Sequence, residues 1–402
     1  MFIPLSFIFT FPFVWAVEPL IFIYLLTILF RFSREKQRIS LFSKNPILFP
    51  LLLYFCVIFL NYVRNPLPSS IFTGVSTEEG GLRYYYEHFL VLIFYFITLL
   101  SLRTYSSKKI IKLILFLSVL TTFIGFLLFI KPISEFVEYL RAIGICASRG
   151  MVTGSFVSKV GEDGIFRSGI LYSSPSIGVI LLLSNAVTVR KEIKIILLSF
   201  FIMGITLSAT RSIFGSLILI IFFLFFFPSY RKRNWFVLLV VLILLLLNYF
   251  VYPQQFSRII YERSLGYREL LYLNYLEEFM QNPVFGKGLG TTVVTGEPSS
   301  LEYFLSFNIR LGGHSIFLGM LHSFGIIAFI PFIWILVKSI YLSWFIYKNH
   351  YEIHQRRIAL FCMLFLIYCL IPFIIGGIEM YYFLYIVLGF ISSAYQSYNY
   401  KK

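Results

Sequence analysis

Residues 193–228 read IKIILLSFFIMGITLSATRSIFGSLILIIFFLFFFP. Two apolar runs, 193–209 and 212–228, flank one polar break, Ser208-Ala209-Thr210-Arg211-Ser212. Each run approaches the roughly 20 residues that carry a helix across a bilayer core. A surface helix of a soluble domain would show a polar stripe at helical spacing, and neither run has one.

The pattern repeats in both directions. Candidate spans fall at 2–16, 18–30, 46–62, 84–101, 110–130, 168–188, 193–209, 212–228, 235–252, 315–337, 358–376 and 380–397. The first two are short and could form one broken helix. The expected fold is all-α: a polytopic membrane protein of about twelve transmembrane helices, with residues 1–402 as one integral membrane domain. Composition agrees. Hydrophobic residues make up 59% of the chain and charged ones 13%, about half the charge of a soluble domain. This excludes a soluble enzyme, a disordered chain and a disulfide scaffold. Cys56, Cys146, Cys362 and Cys369 lack zinc or redox spacing and read as small hydrophobes. The N-terminus lacks a basic region and a small-residue cleavage site, so no cleavable signal is expected.

Basic clusters alternate with the other connections. One set runs from Arg31 to Lys44, Arg103 to Lys112, Arg190 to Lys194, Arg231 to Arg233 and Lys338 to Arg357, and ends at Lys401 and Lys402. It holds 21 Lys and Arg against three acids, Glu35, Glu192 and Glu352. The positive-inside rule puts this set, and both termini, in the cytoplasm. The net charge of +16 is thereby a topology signal, and no nucleic-acid partner is expected. The opposite side carries large loops at about 131–167 and 253–313, besides a third at about 63–83. The cytoplasmic loops are short and hold no Walker A sequence, which excludes an ATP-driven pump in this chain.

The two sides differ in their cations. The inner set has nine Arg and twelve Lys, the outer set ten Arg and three Lys (Lys131, Lys159, Lys287). Arg grips phosphate oxygens at two points, which Lys cannot do. An Arg-biased outer face suits an anionic, phosphate-bearing lipid substrate. Pairing with outer acids is the structural alternative for any one of these arginines.

Four segments concentrate the chemistry. Arg211 sits in the polar break, where an ionisable residue beside membrane spans marks function. Arg167 precedes Ser168-Gly169 and the run through Pro175 to Gly178. Arg268 lies on an amphipathic stretch, 264–280, expected to rest on the outer interface. That stretch ends in Asn282-Pro283 and Gly286-Lys287-Gly288-Leu289-Gly290, a tight turn bringing backbone close to a ligand or the bilayer. Gly312-Gly313-His314-Ser315 opens the tenth span. His88 and His322 read as packing or hydrogen-bonding residues inside helices. His350 and His354 are four apart but lack the zincin Glu placement, and no outer carboxylate cage is evident, so no metal and no cofactor is expected.

In this order, these segments resemble the superfamily of O-antigen polymerases and O-antigen ligases. These are integral membrane glycosyltransferases using undecaprenyl-diphosphate-linked glycans. The resemblance spans about 160–340. Ser208 to Arg211 resembles the family's Ser-x-Arg turn. Arg268, fifteen residues before Pro283, with Phe285-Gly286-x-Gly288 after it, is similar to the family's Arg, long helix, Pro-Leu-Phe-Gly-x-Gly arrangement. His314-Ser315, nine residues, then Gly325 resembles the ligase pattern, with Ala328 a departure at its last position. Arg167 and Gly178 fit the Arg-x10-Gly spacing of polymerase loops, here across a loop–helix junction.

The resemblance implies the fold of lipid-linked-sugar glycosyltransferases and a bacterial inner-membrane location. It implies polymerisation of lipid-linked repeat units into O-antigen or a related surface polysaccharide. The alternative is ligation of that glycan to lipid A–core. A lipid-linked oligosaccharide flippase is the rival class, though no internal repeat of the kind found in transporters is visible. Partners are the undecaprenyl-diphosphate-linked oligosaccharide, the lipid bilayer and, as a candidate, a chain-length regulator. Arg211, Arg268 and Arg167 would hold the diphosphate without a metal. His314 would be the base for an inverting attack on the anomeric carbon, or would orient the acceptor hydroxyl.

The orientation is testable. In a chain freed of native cysteines, Ser300→Cys should react with a membrane-impermeant thiol reagent in intact spheroplasts. Labelling only after lysis would reverse the topology.

Overall fold

The computed structural model describes residues 45–64, 81–127, 171, 173–208, 211–225, 264–288, 315–375 and 379–400, with the single positions 235, 239, 243 and 250. Among the described residues the fold is helical and has no strand. In chain order the helices are α1 (Leu48–Arg64), α2 (Gly81–Thr104), α3 (Ser107–Leu127), α4 (Ser174–Leu183) and α5 (Lys191–Ser208). Then come α6 (Arg211–Leu224), α7 (Ser264–Gln281), α8 (Ile316–Asn349), α9 (Ile353–Ile375) and α10 (Glu379–Tyr400). Three of them, α3, α8 and α9, are long and apolar enough to cross a membrane, and shorter apolar helices lie in α1, α2, α4 and α6. The spans expected at 2–16 and 18–30, and the loop at 131–167, lie outside the described residues. So does the count of about twelve.

α9 is the axis of the core. It is hydrophobic all round, and Ile358 to Cys369 are buried without interruption, as expected of a helix enclosed by neighbours. It packs against α8, α6, α10 and α4, while α2 lies on α10 and α1 on α8. Close approach uses small residues. A Cβ on Gly389 of α10 would meet Thr98 of α2 at 2.8 Å. Beside it the Tyr95 hydroxyl accepts from Asn45 Nδ2 at 2.7 Å and contacts Ser392 Oγ at 3.0 Å, so the buried polar groups satisfy one another.

Two helices depart from their apolar runs. The run 168–188 yields a described helix only from Ser174, because Pro175 in the first turn lacks an N–H and favours a helix start. It ends at Leu183, and Asn185 then takes a left-handed φ of 55°. Gly178 lets the Phe201 ring of α5 lie against α4, since a Cβ there would sit 2.4 Å from that ring. The run 315–337 extends to Asn349. Lys338 and Lys348 do not end it, since lysine is a good helix former; their cations lie over aromatic rings, Tyr341 at 5.8 Å and Trp344 at 4.4 Å. The connection expected across 338–357 thus shrinks to residues 350–352. In it His350 contacts Ser397 Oγ through Nε2 at 3.1 Å and accepts the Glu352 N–H through Nδ1 at 3.1 Å.

α8 is broken. Gly325 has φ 69° and ψ −173°, a region open in practice only to glycine. It lies about 14 Å along the helix from Ile316, so the break falls within the apolar length. Backbone freed there must be satisfied by protein. The chain after α7 does this. The Ile326 and Ile327 N–H groups donate to the Pro283 and Val284 carbonyls at 2.9 and 3.3 Å. The His322 and Ser323 carbonyls accept from the Lys287 and Gly288 N–H groups at 2.8 and 2.9 Å. Asn61 of α1 donates to the Phe285 and Ser323 carbonyls at 2.7 and 3.3 Å. Gly286 (φ 68°) and Gly288 (φ 94°) give the turn its shape. A Cβ on Gly286 would lie 2.6 Å from the His322 oxygen, and one on Gly325 2.2 Å from the Val284 oxygen.

Gly325→Ala must therefore strain the backbone and push the turn out of the break. We expect a loss of about 2 kcal/mol or more, read as a lower thermal midpoint of purified protein in detergent. Ile330→Ala, at an exposed position on the same helix, is the control. Equal midpoints for the two variants would refute the joint.

Candidate functional site

Arg211 is the first residue of α6. Ser208 ends α5, buried, with its Oγ donating to the Ile205 carbonyl at 2.7 Å. Residues 209 and 210 lie outside the described residues, and so does the Arg211 side chain. One turn along α6, a Cβ on Gly215 would touch Ile371 of α9 at 3.4 Å.

Ser315 caps α8. Its Oγ accepts from the Leu318 N–H at 3.3 Å and donates to the Phe373 carbonyl of α9 at 3.3 Å. The start of α8 and the second turn of α6 thus both meet α9 within residues 371–373. Pro372 lies between the two contacts. His314, one residue before this cap, lies outside the described residues.

Arg268 lies in the second turn of α7, and its side chain is likewise outside the description. The other side of this helix is well defined. Tyr275 is buried, packs on Tyr272 and Leu318, and meets the His322 ring at 5.2 Å edge-on. Glu278 Oε2 lies 2.5 Å from His322 Nε2 and 3.3 Å from Lys287 Nζ. Leu273, Leu276 and Met280 are exposed on the remaining surface of α7. α7 and α8 run in the same direction, since Glu278 meets His322 while Tyr275, about one turn earlier, also reaches Leu318.

The Glu278–His322–Lys287 cluster was not legible as a unit in the sequence. A histidine inside an apolar run needs a polar partner, and that was the available signal. It did not say which of the acids on α7 supplies it. Arg167 and Gly290 lie outside the described residues, and Gly178 serves the α4–α5 packing described above.

Residues 195–333 match the family model described as O-antigen ligase. This match supports placing the chain in the O-antigen polymerase and ligase superfamily. It begins inside α5 and ends inside α8, so it contains the segments bearing Arg211, Arg268, the turn glycines and His314. Arg167 precedes it. No curated protein matches the chain.

Gly286→Ala should act on the same joint from its other side. We expect the thermal midpoint to fall as for Gly325→Ala, and the double variant to lose less than the sum, because the two glycines share one contact. Additive losses, measured by thermal unfolding in detergent, would show that they act separately.

Proposed function

We propose that this chain polymerises lipid-linked oligosaccharide repeat units into O-antigen or a related surface polysaccharide, on the outer face of the bacterial inner membrane. Both termini are cytoplasmic on this reading, because the basic connections alternate with the large loops. The family match over 195–333, within which fall Arg211, Arg268 and His314 together, supports the chemistry shared by polymerases and ligases; the choice of polymerase rests on the Gly286-x-Gly288-x-Gly290 turn, the two large outer loops and the Arg167–Gly178 spacing.

The chemistry suits these residues. A glycan on a lipid diphosphate is already activated, and its leaving group is a diphosphate ester. Arg211 and Arg268, with Arg167 as a third, would hold the diphosphate oxygens and stabilise the charge that develops as the bond to the anomeric carbon breaks. His314 would take the proton of the acceptor hydroxyl as that oxygen attacks from the opposite face, inverting the configuration. The two large outer loops expected from the sequence would leave room for a second lipid-linked chain as acceptor, which is what a polymerase requires.

A second reading is ligation to lipid A–core. The His314-Ser315 to Gly325 spacing and the description of the matching family favour it. Deleting the gene separates the two. A host lacking a polymerase should display lipopolysaccharide capped with a single repeat unit. Bare core with long chains accumulating on the lipid carrier would overturn the polymerase reading in favour of the ligase.

At the residue level, Arg211→Lys and Arg268→Lys keep the charge and lose the fork. Each should lower glycan synthesis by roughly 100- to 1,000-fold, as for loss of one transition-state donor. His314→Ala should lower turnover by roughly 100-fold while binding of the lipid diphosphate survives. Activity should persist in excess EDTA. The measurement is glycan made per molecule of protein at matched levels. Normal synthesis by either Arg→Lys variant would remove that arginine's two-point grip from the mechanism.

A further inference from the structure

We propose that Glu278 and His322 are a positioning pair that sets where Arg268 stands relative to the start of α8. The inference rests on the function proposed above and names residues to which neither the resemblance nor the family match assigns a role.

The backbone joint at Gly325 attaches the chain after α7 to α8, but it is one point of attachment. A rigid helix fixed at one end can still swing. Arg268 is ten residues from Glu278, about 15 Å along α7. A swing of a few degrees about the joint would therefore move Arg268 by an ångström or more. The Glu278–His322 contact is the second point, further up the helix. Lys287 ties the same carboxylate back to the turn, and Tyr275 covers the imidazole.

Burial argues that the pair is retained for geometry. The His322 side chain is 0% exposed and that of Glu278 13%. Against a carboxylate, which only accepts, His322 Nε2 is the donor. Its Nδ1 is buried with no hydrogen-bond partner among the described residues. An imidazole with one nitrogen orphaned is a costly way to fill an apolar helix, and a leucine would fill it at lower cost. What the imidazole adds is a directional bond to one atom on α7, which fixes register. Reacting groups need that accuracy, since a misplacement of about 1 Å can cost 100-fold in rate.

The test uses purified full-length protein and undecaprenyl diphosphate as the probe, with binding read as the ligand-induced rise in thermal midpoint across a titration. Arg268→Ala should weaken binding about tenfold or more. Glu278→Ala should weaken it comparably, and Glu278→Ala with Arg268→Ala should bind no worse than Arg268→Ala alone, because Glu278 acts through Arg268. Glu278→Gln, which still accepts the imidazole N–H, should bind within about threefold of the native protein. If Glu278→Ala does not fold, His322→Leu removes the same bond while filling the apolar site and is read in the same way. Native-like binding by the variant lacking the bond, or a loss that adds fully to that of Arg268→Ala, would overturn the positioning role and leave the site reading intact. A Glu278→Gln variant as weak as Glu278→Ala would overturn it too, since charge rather than geometry would then matter. Undiminished binding by Arg268→Ala would overturn the arginine's role and the proposal with it.

Discussion

The constraint on which the described fold depends is hydrogen-bond satisfaction at a broken helix. In hydrocarbon no water is available to an unpaired N–H or carbonyl, and each costs several kcal/mol. α8 nevertheless opens at Gly325. The chain repairs the opening with backbone from residues 283–288, so two segments distant in sequence exchange four backbone hydrogen bonds in place of the missing helical ones. Because the partners are main-chain atoms, the approach must be closer than side chains permit. That is why glycine stands on both sides of the contact, and why Asn61 reaches in from α1 to bond the same two segments.

This joint has a consequence for the elements around it. A continuous α8 would give α7 nothing but side chains to rest on, and α7 is amphipathic, with Leu273, Leu276 and Met280 exposed. Such a helix binds an interface without a fixed direction. The joint supplies the fixed point, and Tyr275 and Glu278 against His322 supply the direction. α8 is in turn held by α9, which is buried without interruption from Ile358 to Cys369. Positional order thus passes from the apolar core, through the axis helix and the broken helix, to the amphipathic helix on which Arg268 stands.

The apolar elements were largely legible in the sequence because their signal is local. The runs 46–62, 212–228, 358–376 and 380–397 correspond to α1, α6, α9 and α10 within a few residues, and burial of α9 on all sides follows from its lack of any polar stripe. Helix ends were less legible than helices. Lys338 closes the apolar run, yet α8 continues past it to Asn349, because an apolar run marks where lipid could lie and lysine does not break a helix. Pro175 delays the start of α4 inside a run that looks uniform. The glycine motifs were visible, but as two separate patterns. Gly286-x-Gly288 and Gly325, ten residues after Ser315, are halves of one joint, and nothing in either half names the other. His322 was legible as a buried polar residue, while its bond to Glu278 depends on the register of two helices that the joint creates.

The placement of the candidate residues along their helices bears on the chemistry. Arg211 begins α6, Arg268 lies in the second turn of α7, and His314 immediately precedes the cap of α8. Arg211 and His314 stand at helix N-termini, where unpaired N–H groups and the helix dipole favour negative charge, while Arg268 lies beyond the first turn of its helix. For the lipid diphosphate proposed above, these helix starts would add to the arginines without any further side chain. The start of α8 is bonded to the Phe373 carbonyl of α9, and α6 packs beside Ile371 from its second turn, so both lean on the same stretch of α9. The third helix, α7, with the turn after it, is held by α8 and, through Asn61, by α1. On the positioning role proposed above, the backbone joint and the Glu278–His322 bond together direct α7, whereas α6 meets α9 by apolar packing.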